Sequence, residues 1–437
     1  MAWPRVTVLI MLSYRQPGLV LTDRVFAVPL NHAQPGGEQI EVFAREVVAP
    51  RRESADLPWL VFFQGGPGFA ALRPIGRESW LDRALRDYRV LLLDQRGTGR
   101  STPATTQTLA RLATPAAQAD YLAHFRADSI VADAELIRPQ VTGGAPWSVL
   151  GQSFGGFCVV TYLSSAPAGL CEAFITGGLP GLAADADDVY RLTYGVVAAK
   201  NRAHYARYPQ DVARARRIAQ ALADCPARLP GGGTLTVERF QALGQALGSS
   251  TGSHQLHYLI EDAFAGPDLT DDFLYRAEEL LRYGSAPLYA LLHEQSYAQG
   301  SPTRWAAHRV RADFAEFDAL AALASDAPVL FTGEMVYPWA LEHDPALRPL
   351  AAAGELLARR AGWPALYDAG QLARTEIPVT AAVYADDMYV PGELSLQTAA
   401  AIRGLRAWVT NEYEHDGLRV SNGAVLDRLI AMAHGDV

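Results

Sequence analysis

The chain has 437 residues, of which 49% are hydrophobic and 19% are charged, a composition that excludes a disordered protein and allows two or three domain-sized units. The formal net charge of −9 argues against a nucleic-acid-binding surface. Lys200 is the only lysine among 38 basic residues, which we attribute to composition bias and not to function.

The predicted compartment is the cytoplasm. Three cysteines lack the regular spacing of a disulfide framework or a zinc site: Cys158, Cys171 and Cys225. Residues 6–12 behind Arg5 resemble a weak signal-peptide core, but no small-x-small cleavage site follows. A translation start at Met11 is an alternative explanation of this stretch. No run approaches the ~18 consecutive apolar residues that a membrane helix needs, so no membrane partner is expected.

The first part of the chain alternates strand and helix patterns. Residues 18–30 and 39–48 alternate loosely around a Pro-Gly-Gly turn, which predicts a hairpin. Short continuous apolar runs typical of parallel strands buried on both faces follow at 59–63, 89–93 and 147–150. Helical spacing is found at 128–141 and 154–164. This rhythm predicts an α/β fold with a doubly wound, mostly parallel sheet.

The pattern changes at about residue 185, after which strand signals become rare. Amphipathic helices are predicted at 212–222, 237–247, 272–283 and 314–323, with a loop at 226–233. Strand patterns resume at 377–384 and 405–410, and a last helix is predicted at 420–433. We therefore expect an α/β core formed by residues 1–184 and 359–437, interrupted by an all-helical insertion of residues 185–358.

The candidate nucleophile is Ser153, in the segment Gly151-Gln152-Ser153-Phe154-Gly155-Gly156. The segment fits G-x-S-x-G, in which a strained strand-to-helix turn presents a serine and side chains two residues away would clash. The apolar strand before it and the helix after it are the context that this motif needs.

A serine hydroxyl needs a base to take its proton and an acid to hold that base. His415 directly follows the last predicted strand, where the base of such a sheet belongs. Asp386 and Asp387 both follow the strand before it. Successive side chains point to different sides, so we expect only one of them to face His415, and we prefer Asp387.

The oxyanion of the reaction needs fixed N–H donors. One candidate donor is the N–H of Phe154, directly after the nucleophile. The second is expected in Gln64-Gly65-Gly66-Pro67-Gly68, after the first core strand, with Gly66 preferred and Gly65 next.

These motifs resemble the prolyl aminopeptidase (proline iminopeptidase) branch of the α/β-hydrolase superfamily, in its longer bacterial form. The resemblance rests on the G-G-P-G loop, the elbow and the segment Asp94-Gln95-Arg96-Gly97-Thr98-Gly99-Arg100-Ser101. It implies an α/β-hydrolase fold with a helical cap and a serine exopeptidase that releases an N-terminal proline or small residue. It also selects Asp387, with Pro391 four residues on, and gives Asp94 and Arg96 a bracing role. Gln64 replaces the histidine of the shorter enzymes, as in the longer branch and in tripeptidyl aminopeptidases.

The resemblance further implies two cap glutamates that bind the substrate's free amino group. Glu294 and Glu334 are the best candidates because both lie among aromatic and apolar residues, and Glu342 is the reserve. Aromatic side chains near them could line a pocket for the proline ring: Tyr297, Tyr337 and Trp339. The expected partner is a small peptide with a free N-terminus, and the mechanism needs no metal or cofactor.

Two alternatives stay open at this point. Another hydrolase, such as an esterase, lactonase, amidase or tripeptidyl-type aminopeptidase, could use the same triad, because the fold alone does not select the substrate. A hydrolase-like binding protein without turnover is the alternative from another class, and the intact Ser153, Asp387 and His415 set speaks against it. The sequence does not indicate the oligomeric state.

Overall fold

The computed structural model describes residues 8–77 and 79–437. The first part of the stretch 6–12 lies outside the described residues, and from Val8 this stretch belongs to the first strand. The strands of the described chain are β1 Val8–Gln16, β2 Leu19–Pro29, β3 Gln39–Val48, β4 Trp59–Phe63, β5 Arg89–Leu93, β6 Trp147–Gln152, β7 Leu170–Thr176, β8 Ala227–Arg228, β9 Thr234–Leu235, β10 Phe264–Ala265, β11 Asp268–Leu269, β12 Val379–Tyr384 and β13 Leu405–Thr410.

Helices occupy much of the remaining chain, and many are short. Those before the insertion are α1 Ser79–Ala84, α2 Thr106–Leu109, α3 Pro115–Leu122, α4 Ala127–Thr142 and α5 Phe154–Ser165. Those between β7 and β12 are α6 Ala186–Arg207, α7 Gln210–Asp224, α8 Val237–Gln241, α9 Gly252–Glu261, α10 Asp271–Leu281, α11 Pro287–Leu292, α12 Ala306–Val310, α13 Ala319–Leu323, α14 Pro338–His343, α15 Ala351–Arg359 and α16 Ala369–Leu372. The last are α17 Gly392–Ala401, α18 Gly417–Val420 and α19 Ala424–His434. Short 3₁₀ helices lie at Pro50–Arg52, Pro167–Gly169, Ala242–Gly248, Glu294–Tyr297, Arg311–Asp313, Ala315–Phe317 and Arg348–Leu350.

The large sheet has the strand order β1-β2-β3-β5-β4-β6-β7-β12-β13. Strands β1 to β3 pair antiparallel, and β3 is antiparallel to β5. From β5 to β13 the neighbouring strands are parallel. The apolar runs of β6 and β12 are buried throughout, as expected for parallel strands covered on both faces. The prediction of an α/β fold with a mostly parallel sheet is confirmed.

The position of the site follows from this strand order. Strand β4 lies between β5 and β6, so the chain first adds strands on one side of β4 and then on the other. Such a reversal opens a crevice at the carboxyl ends of the two strands, where α/β proteins bind their ligands. The loops after β4 and β6 carry the predicted oxyanion donor and nucleophile.

The segment between β7 and β12 is mostly helical, as expected, but it also contains two small ribbons. β8 pairs with β9, and β10 pairs with β11. The predicted loop 226–233 is therefore partly a ribbon, closed by a hydrogen bond from Leu229 N–H to the Gly233 carbonyl at 2.8 Å.

Two large hydrophobic clusters organise the chain around the crevice. One joins the sheet to α4, α5 and the insertion helices α11 and α15. The other is drawn mainly from residues 186–337 of the insertion. Helix α11 belongs to the first cluster, and its Leu288 and Tyr289 lie against Gly68 in the loop after β4, so it carries insertion residues to the crevice. Within residues 8–77 and 79–437, no helix is both long and apolar enough to cross a membrane.

Candidate active site

Ser153 occupies a strained turn between β6 and α5. Its backbone angles are φ 55° and ψ −127°, a conformation that L residues adopt only where the surroundings enforce it. A Cβ at Gly151 would overlap the Gly155 backbone, and a Cβ at Gly155 would overlap the Phe63 carbonyl. The glycines of the motif are therefore required by close backbone packing, which fixes the serine at the start of α5.

Asp387, and not Asp386, lies against His415. The Nδ1 of His415 and the Oδ2 of Asp387 are 2.7 Å apart. The other oxygen, Oδ1, accepts hydrogen bonds from the backbone N–H groups of Tyr389 at 2.9 Å and Val390 at 3.1 Å. Asp387 is buried and Asp386 is exposed. An ionised carboxylate only accepts hydrogen bonds, so the proton of the neutral imidazole lies on Nδ1. Nε2 is then free to accept a hydrogen bond from a hydroxyl group.

The electrostatics of His415 favour its charged form. Burial lowers the pKa of His415, but the charge and hydrogen bond of Asp387 raise it, and the carboxylates of Glu334 and Asp416 add to this. The net result is a pKa above the ordinary histidine value. The imidazolium that forms when a base takes a proton is thereby stabilised.

Ser153 and the His415–Asp387 pair meet at the end of β7. A Cβ at Gly178 would lie 3.1 Å from the Ser153 nitrogen. A Cβ at the preceding Gly177 would lie 3.1 Å from His415 Nδ1 and 3.2 Å from Asp387 Oδ2. The structure thus brings the three predicted residues to two adjacent glycines, which the sequence analysis missed; a Gly-Gly pair in this region was the available signal.

The predicted oxyanion loop lies beside the nucleophile. A Cβ at Gly65 would lie 3.0 Å from Ser153 Cβ and 3.6 Å from its Oγ. Gly66 has φ +138°, which disfavours any side chain. Phe154 is the first residue of α5, so its N–H has no acceptor within the helix and can point outward. Phe154 and Gly65, the second choice for the loop donor, are therefore adjacent to Ser153, and the preferred Gly66 directly follows Gly65.

Arg419 ties the catalytic loops together from the side of α18. Its Nε donates to Gln152 Oε1 at 3.0 Å, and an NH2 group donates to Gln64 Oε1 at 3.2 Å. Gln152 precedes the nucleophile and Gln64 precedes the oxyanion glycines. Arg419 itself lies four residues after His415, so one guanidinium spans three catalytic segments.

The residues Asp94 and Arg96 brace loops, as the resemblance implied. Asp94 is fully buried and accepts two hydrogen bonds from Arg73, the longer at 2.8 Å, and one from Arg100 N–H at 2.9 Å. Arg96 donates to Asp133 at 2.7 and 2.5 Å. Neither side chain contacts Ser153 in the described contacts, which is consistent with a structural role.

Glu334 is hydrogen-bonded to an aromatic residue of α11. The hydroxyl of Tyr289 donates to Glu334 Oε1 at 2.8 Å, and the Glu334 side chain is partly exposed. After burial, the negative charge of Glu334 is the strongest influence raising the pKa of Tyr289 and of Tyr297. Its charge also raises the pKa of His415, so the same carboxylate influences both tyrosines and the base.

Glu294 is buried more deeply than Glu334. Its Oε1 accepts a hydrogen bond from the N–H of Ala307 at 2.9 Å, and its Oε2 has no hydrogen-bond partner among the described residues. Burial raises the pKa of Glu294 to about 7, partly offset by the hydrogen bond from Ala307. A carboxyl group left half satisfied in this way is ready to receive a cation.

Both glutamates face one aromatic group. Burial raises the pKa of Tyr190 and of Tyr297, and the charges of Glu294 and Glu334 raise both further. Tyr297 packs on Phe157 of the nucleophile helix with ring centroids 5.9 Å apart, and on Tyr190 at the same separation. The charges of the two carboxylates therefore act on the same aromatic wall, formed by Tyr190 and Tyr297, and Tyr297 contacts the nucleophile helix.

The other candidates of the insertion lie elsewhere. Glu342 is exposed on α14. Tyr337 is fully buried in the insertion, where its hydroxyl is 2.8 Å from that of Tyr194, and Trp339 stacks on it. Of the three predicted ring-pocket residues, only Tyr297 contacts the nucleophile helix. Tyr289 was not predicted from the sequence. The available signal was that Tyr289 and Tyr297 lie close together along the chain, on consecutive helical turns.

The chain is similar to known proteins along most of its length. A family model described as the alpha/beta hydrolase fold matches residues 58–216. A proline iminopeptidase of Aeromonas sobria is 50% identical over 422 residues, covering 96% of this chain and 98% of the relative. The proline iminopeptidase aneH of Aspergillus aculeatus is 36% identical over 431 residues, covering 96% of this chain and 95% of the relative.

Solved structures are more distant. A thermophilic esterase from Thermogutta terrifontis is 13% identical, with a TM-score of 0.41, and the match covers 93% of this chain and 98% of that one. The curated relatives, in contrast, are similar to this chain along nearly its whole length.

Proposed function

Because this chain belongs to the proline iminopeptidase family of the α/β-hydrolase superfamily, we propose that it is a serine exopeptidase that releases an N-terminal proline, or another small residue, from peptides. The family that the sequence motifs suggested is thereby confirmed. The substrate and the residue roles below belong to the proposal.

The proposed mechanism uses Ser153, His415 and Asp387 as a triad. His415 Nε2 takes the proton of Ser153, whose Oγ attacks the carbonyl carbon of the N-terminal residue. The N–H groups of Phe154 and Gly66 hold the oxyanion. His415 then gives its proton to the leaving amine, and water hydrolyses the acyl-enzyme. Asp387 keeps the proton on Nδ1 and stabilises the imidazolium; no step calls for a metal or cofactor.

One observation carries the exopeptidase assignment: an insertion carboxylate, Glu334, accepts a hydrogen bond from Tyr289, whose backbone lies against Gly68 of the oxyanion loop. A free N-terminus carries its positive charge close to the bond that is cut, so its counter-ion has to lie close to the triad. Glu334 supplies that charge, and Glu294 supplies a second carboxyl group across the aromatic wall. A small peptide with a free N-terminus is the partner that this arrangement fits.

We also propose the division of the chain into a core of residues 1–184 and 359–437 and a cap of residues 185–358. The separate hydrophobic cluster drawn mainly from residues 186–337 supports it. Helices α11 and α15 lie within the cap range but pack with the core cluster. They form the surface on which the cap is seated. Three free cysteines support a reducing, cytoplasmic location.

The test compares chromogenic amides of proline, alanine, N-blocked proline and a tripeptide that ends in proline. We expect rapid hydrolysis of the free prolyl amide and little of the blocked one, because blocking removes the charge that the glutamates bind. Equal rates for free and blocked proline would contradict the exopeptidase proposal. A preference for the tripeptide amide would instead indicate a tripeptidyl-type enzyme. This is the alternative that Gln64 leaves open, because the resemblance places the same residue in tripeptidyl aminopeptidases.

A further inference from the structure

The loop that carries His415 is held by the insertion on both sides of the histidine. Lys200 of α6 donates to both carboxylate oxygens of Glu414, at 2.6 and 2.5 Å. On the other side, Ser250 donates to Asp416 through its Oγ at 2.6 Å and through its N–H at 3.1 and 3.2 Å. Lys200 and Ser250 belong to the insertion, whereas the loop follows β13 of the core.

A third contact joins the insertion to the histidine itself. The backbone N–H of His415 donates to the carbonyl of Gly248 at 3.2 Å. The 3₁₀ helix that ends at Gly248 also accepts a hydrogen bond from the hydroxyl of Tyr389, at the carbonyl of Gln245. The ring of Tyr389 packs edge-on against His415, with centroids 4.8 Å apart. Three consecutive residues of the core loop are therefore contacted by the insertion.

Lys200 is the counter-ion of this loop. Burial raises the pKa of Glu414, Lys200 lowers it, and the neighbouring charges of Asp387 and Asp386 raise it again. The Lys200 side chain is only 12% exposed. Without the lysine, Glu414 would face two other carboxylates with no partner, so it would take up a proton or turn away from the insertion.

We propose that Lys200 is a positioning residue for the catalytic base: through its ion pair with Glu414 it fixes the loop that carries His415. This inference rests on the proposed function, because it takes His415 as the base. It follows that the triad is complete only while the insertion is seated on the core, so the element that selects the substrate also aligns the base. A base displaced by about 1 Å can lose up to about 10²-fold in rate.

The principal test is the variant Lys200→Met. We expect kcat for a prolyl amide and the rate at which a fluorophosphonate labels Ser153 to fall by the same factor, about 10-fold or more, since both reactions need the base. The inhibition constant of free proline should stay within about twofold, because the proposed ammonium site lies on other elements. Lys200→Arg, which keeps the charge, should recover most of the labelling rate.

A double-mutant cycle tests whether the effect passes through Glu414. If the two side chains act as one ion pair, Lys200→Met combined with Glu414→Gln should lose no more activity than Lys200→Met alone. The matched control is Arg360→Met. Arg360 and Asp120 form an ion pair at 2.8 Å between distant segments, with no contact to a catalytic loop, so kcat and labelling should be unchanged.

Several outcomes would overturn the proposal. These are an unchanged labelling rate in Lys200→Met, a loss confined to proline binding, a Lys200→Arg variant as impaired as Lys200→Met, or additive losses in the cycle. Should Lys200→Met not fold, as judged by urea unfolding, Glu414→Gln takes its place, because it removes the same ion pair from the side of the loop. It is expected to slow labelling in the same way, and an unchanged rate would count against the proposal.

Failure of the proposed function is recognised separately. If the unmodified protein is labelled at Ser153 but cleaves no prolyl amide, the proposed substrate is wrong, and the labelling comparison still decides the role of Lys200. If Ser153→Ala is labelled as fast as the unmodified protein, the triad assignment is wrong. The proposed role of Lys200 is then wrong as well, because it takes His415 as the base of that triad.

Discussion

The core and the insertion hold their functional groups in different ways. In the core, backbone packing leaves no choice of residue: Gly151 and Gly155 cannot carry a side chain, and Asp387 is fixed by two backbone N–H groups and by His415. In the insertion, Glu334 is held by the hydroxyl of Tyr289, and Glu294 by one backbone N–H.

This difference separates chemistry from selection. A reaction centre gains from groups that cannot move, because misplacement raises the barrier. A recognition site made of side chains can instead change through substitutions that leave the triad untouched. We therefore expect core variants to lose the reaction with every substrate, and variants of the two insertion glutamates to lose only the preference for a free N-terminus. Lys200, an insertion residue that acts on the base, should behave like a core residue in this comparison.

The largest effect is expected for Asp387→Asn. An amide in place of the carboxylate favours the wrong tautomer of His415, and kcat should fall by about 10⁴-fold for free and blocked substrates alike. The neighbouring Asp386→Asn is the matched control, since Asp386 is exposed, and its kcat should change less than about threefold. Equal losses in the two variants would contradict the assignment of the acid.

The core site could be predicted from sequence because its residue types follow from local backbone geometry. The turn at Ser153 admits only glycine at positions 151 and 155, so the sequence motif directly indicates the backbone geometry of the turn. The choice of Asp387 over Asp386 needed the resemblance as well, since side-chain alternation says only that one of the two faces His415.

Other parts of the fold left no usable local pattern. Strand β7 was missed because Cys171 and Glu172 interrupt its apolar run, although Glu172 is satisfied by the hydroxyls of Tyr88 and Ser148. The contact of Arg419 with Gln64 joins residues 355 positions apart, and that of Lys200 with Glu414 joins residues 214 apart. Lys200 was visible as the only lysine, but we attributed it to composition.

The next largest effect is expected in the insertion, for Glu334→Gln. Removing one partner of a charge pair costs about 2–3 kcal/mol, so kcat/KM for the free prolyl amide should fall about 30- to 100-fold. Glu294→Gln should lose less at pH 7, because about half of Glu294 is already protonated there. Fluorophosphonate labelling of Ser153 should persist in both variants, in contrast to Asp387→Asn.

The exposed Glu342→Gln is the control for these two variants, and its kcat/KM should be unchanged. If labelling of Ser153 collapsed in Glu334→Gln, the carboxylate would belong to the reaction centre, and the separation of chemistry from selection would fail at that residue.

Arg419 lies on the boundary of the comparison, since it is a side chain that braces backbone-built loops. Arg419→Met leaves the Gln64 and Gln152 amide oxygens without their donor, and we expect the weaker positioning of the catalytic loops to raise the activation free energy by about 1–2 kcal/mol. We expect kcat to fall about 5- to 30-fold, equally for free and blocked substrates. A loss limited to free prolyl amides would assign Arg419 to substrate selection instead.

The smallest effect concerns pH. Since the pKa of Glu294 is about 7, the ionised fraction falls roughly tenfold between pH 8 and pH 6, and the inhibition constant of free proline should rise by at most that factor. Glu294→Gln should remove this dependence, whereas Glu334→Gln should keep it. A dependence unchanged in Glu294→Gln would show that another group titrates.

The ionised form of Glu294 is expected to favour proline binding, but it should lower the free energy of unfolding. The folded protein binds this proton more tightly than the unfolded chain, whose glutamate titrates near 4.5. Ionisation of Glu294 therefore does not change the free energy of unfolding below pH 4.5. It lowers this free energy increasingly between pH 4.5 and 7, and by about 3 kcal/mol above pH 7. Urea unfolding of Glu294→Gln at pH 8 should show a higher free energy of unfolding than the unmodified protein, with the gain shrinking toward pH 5.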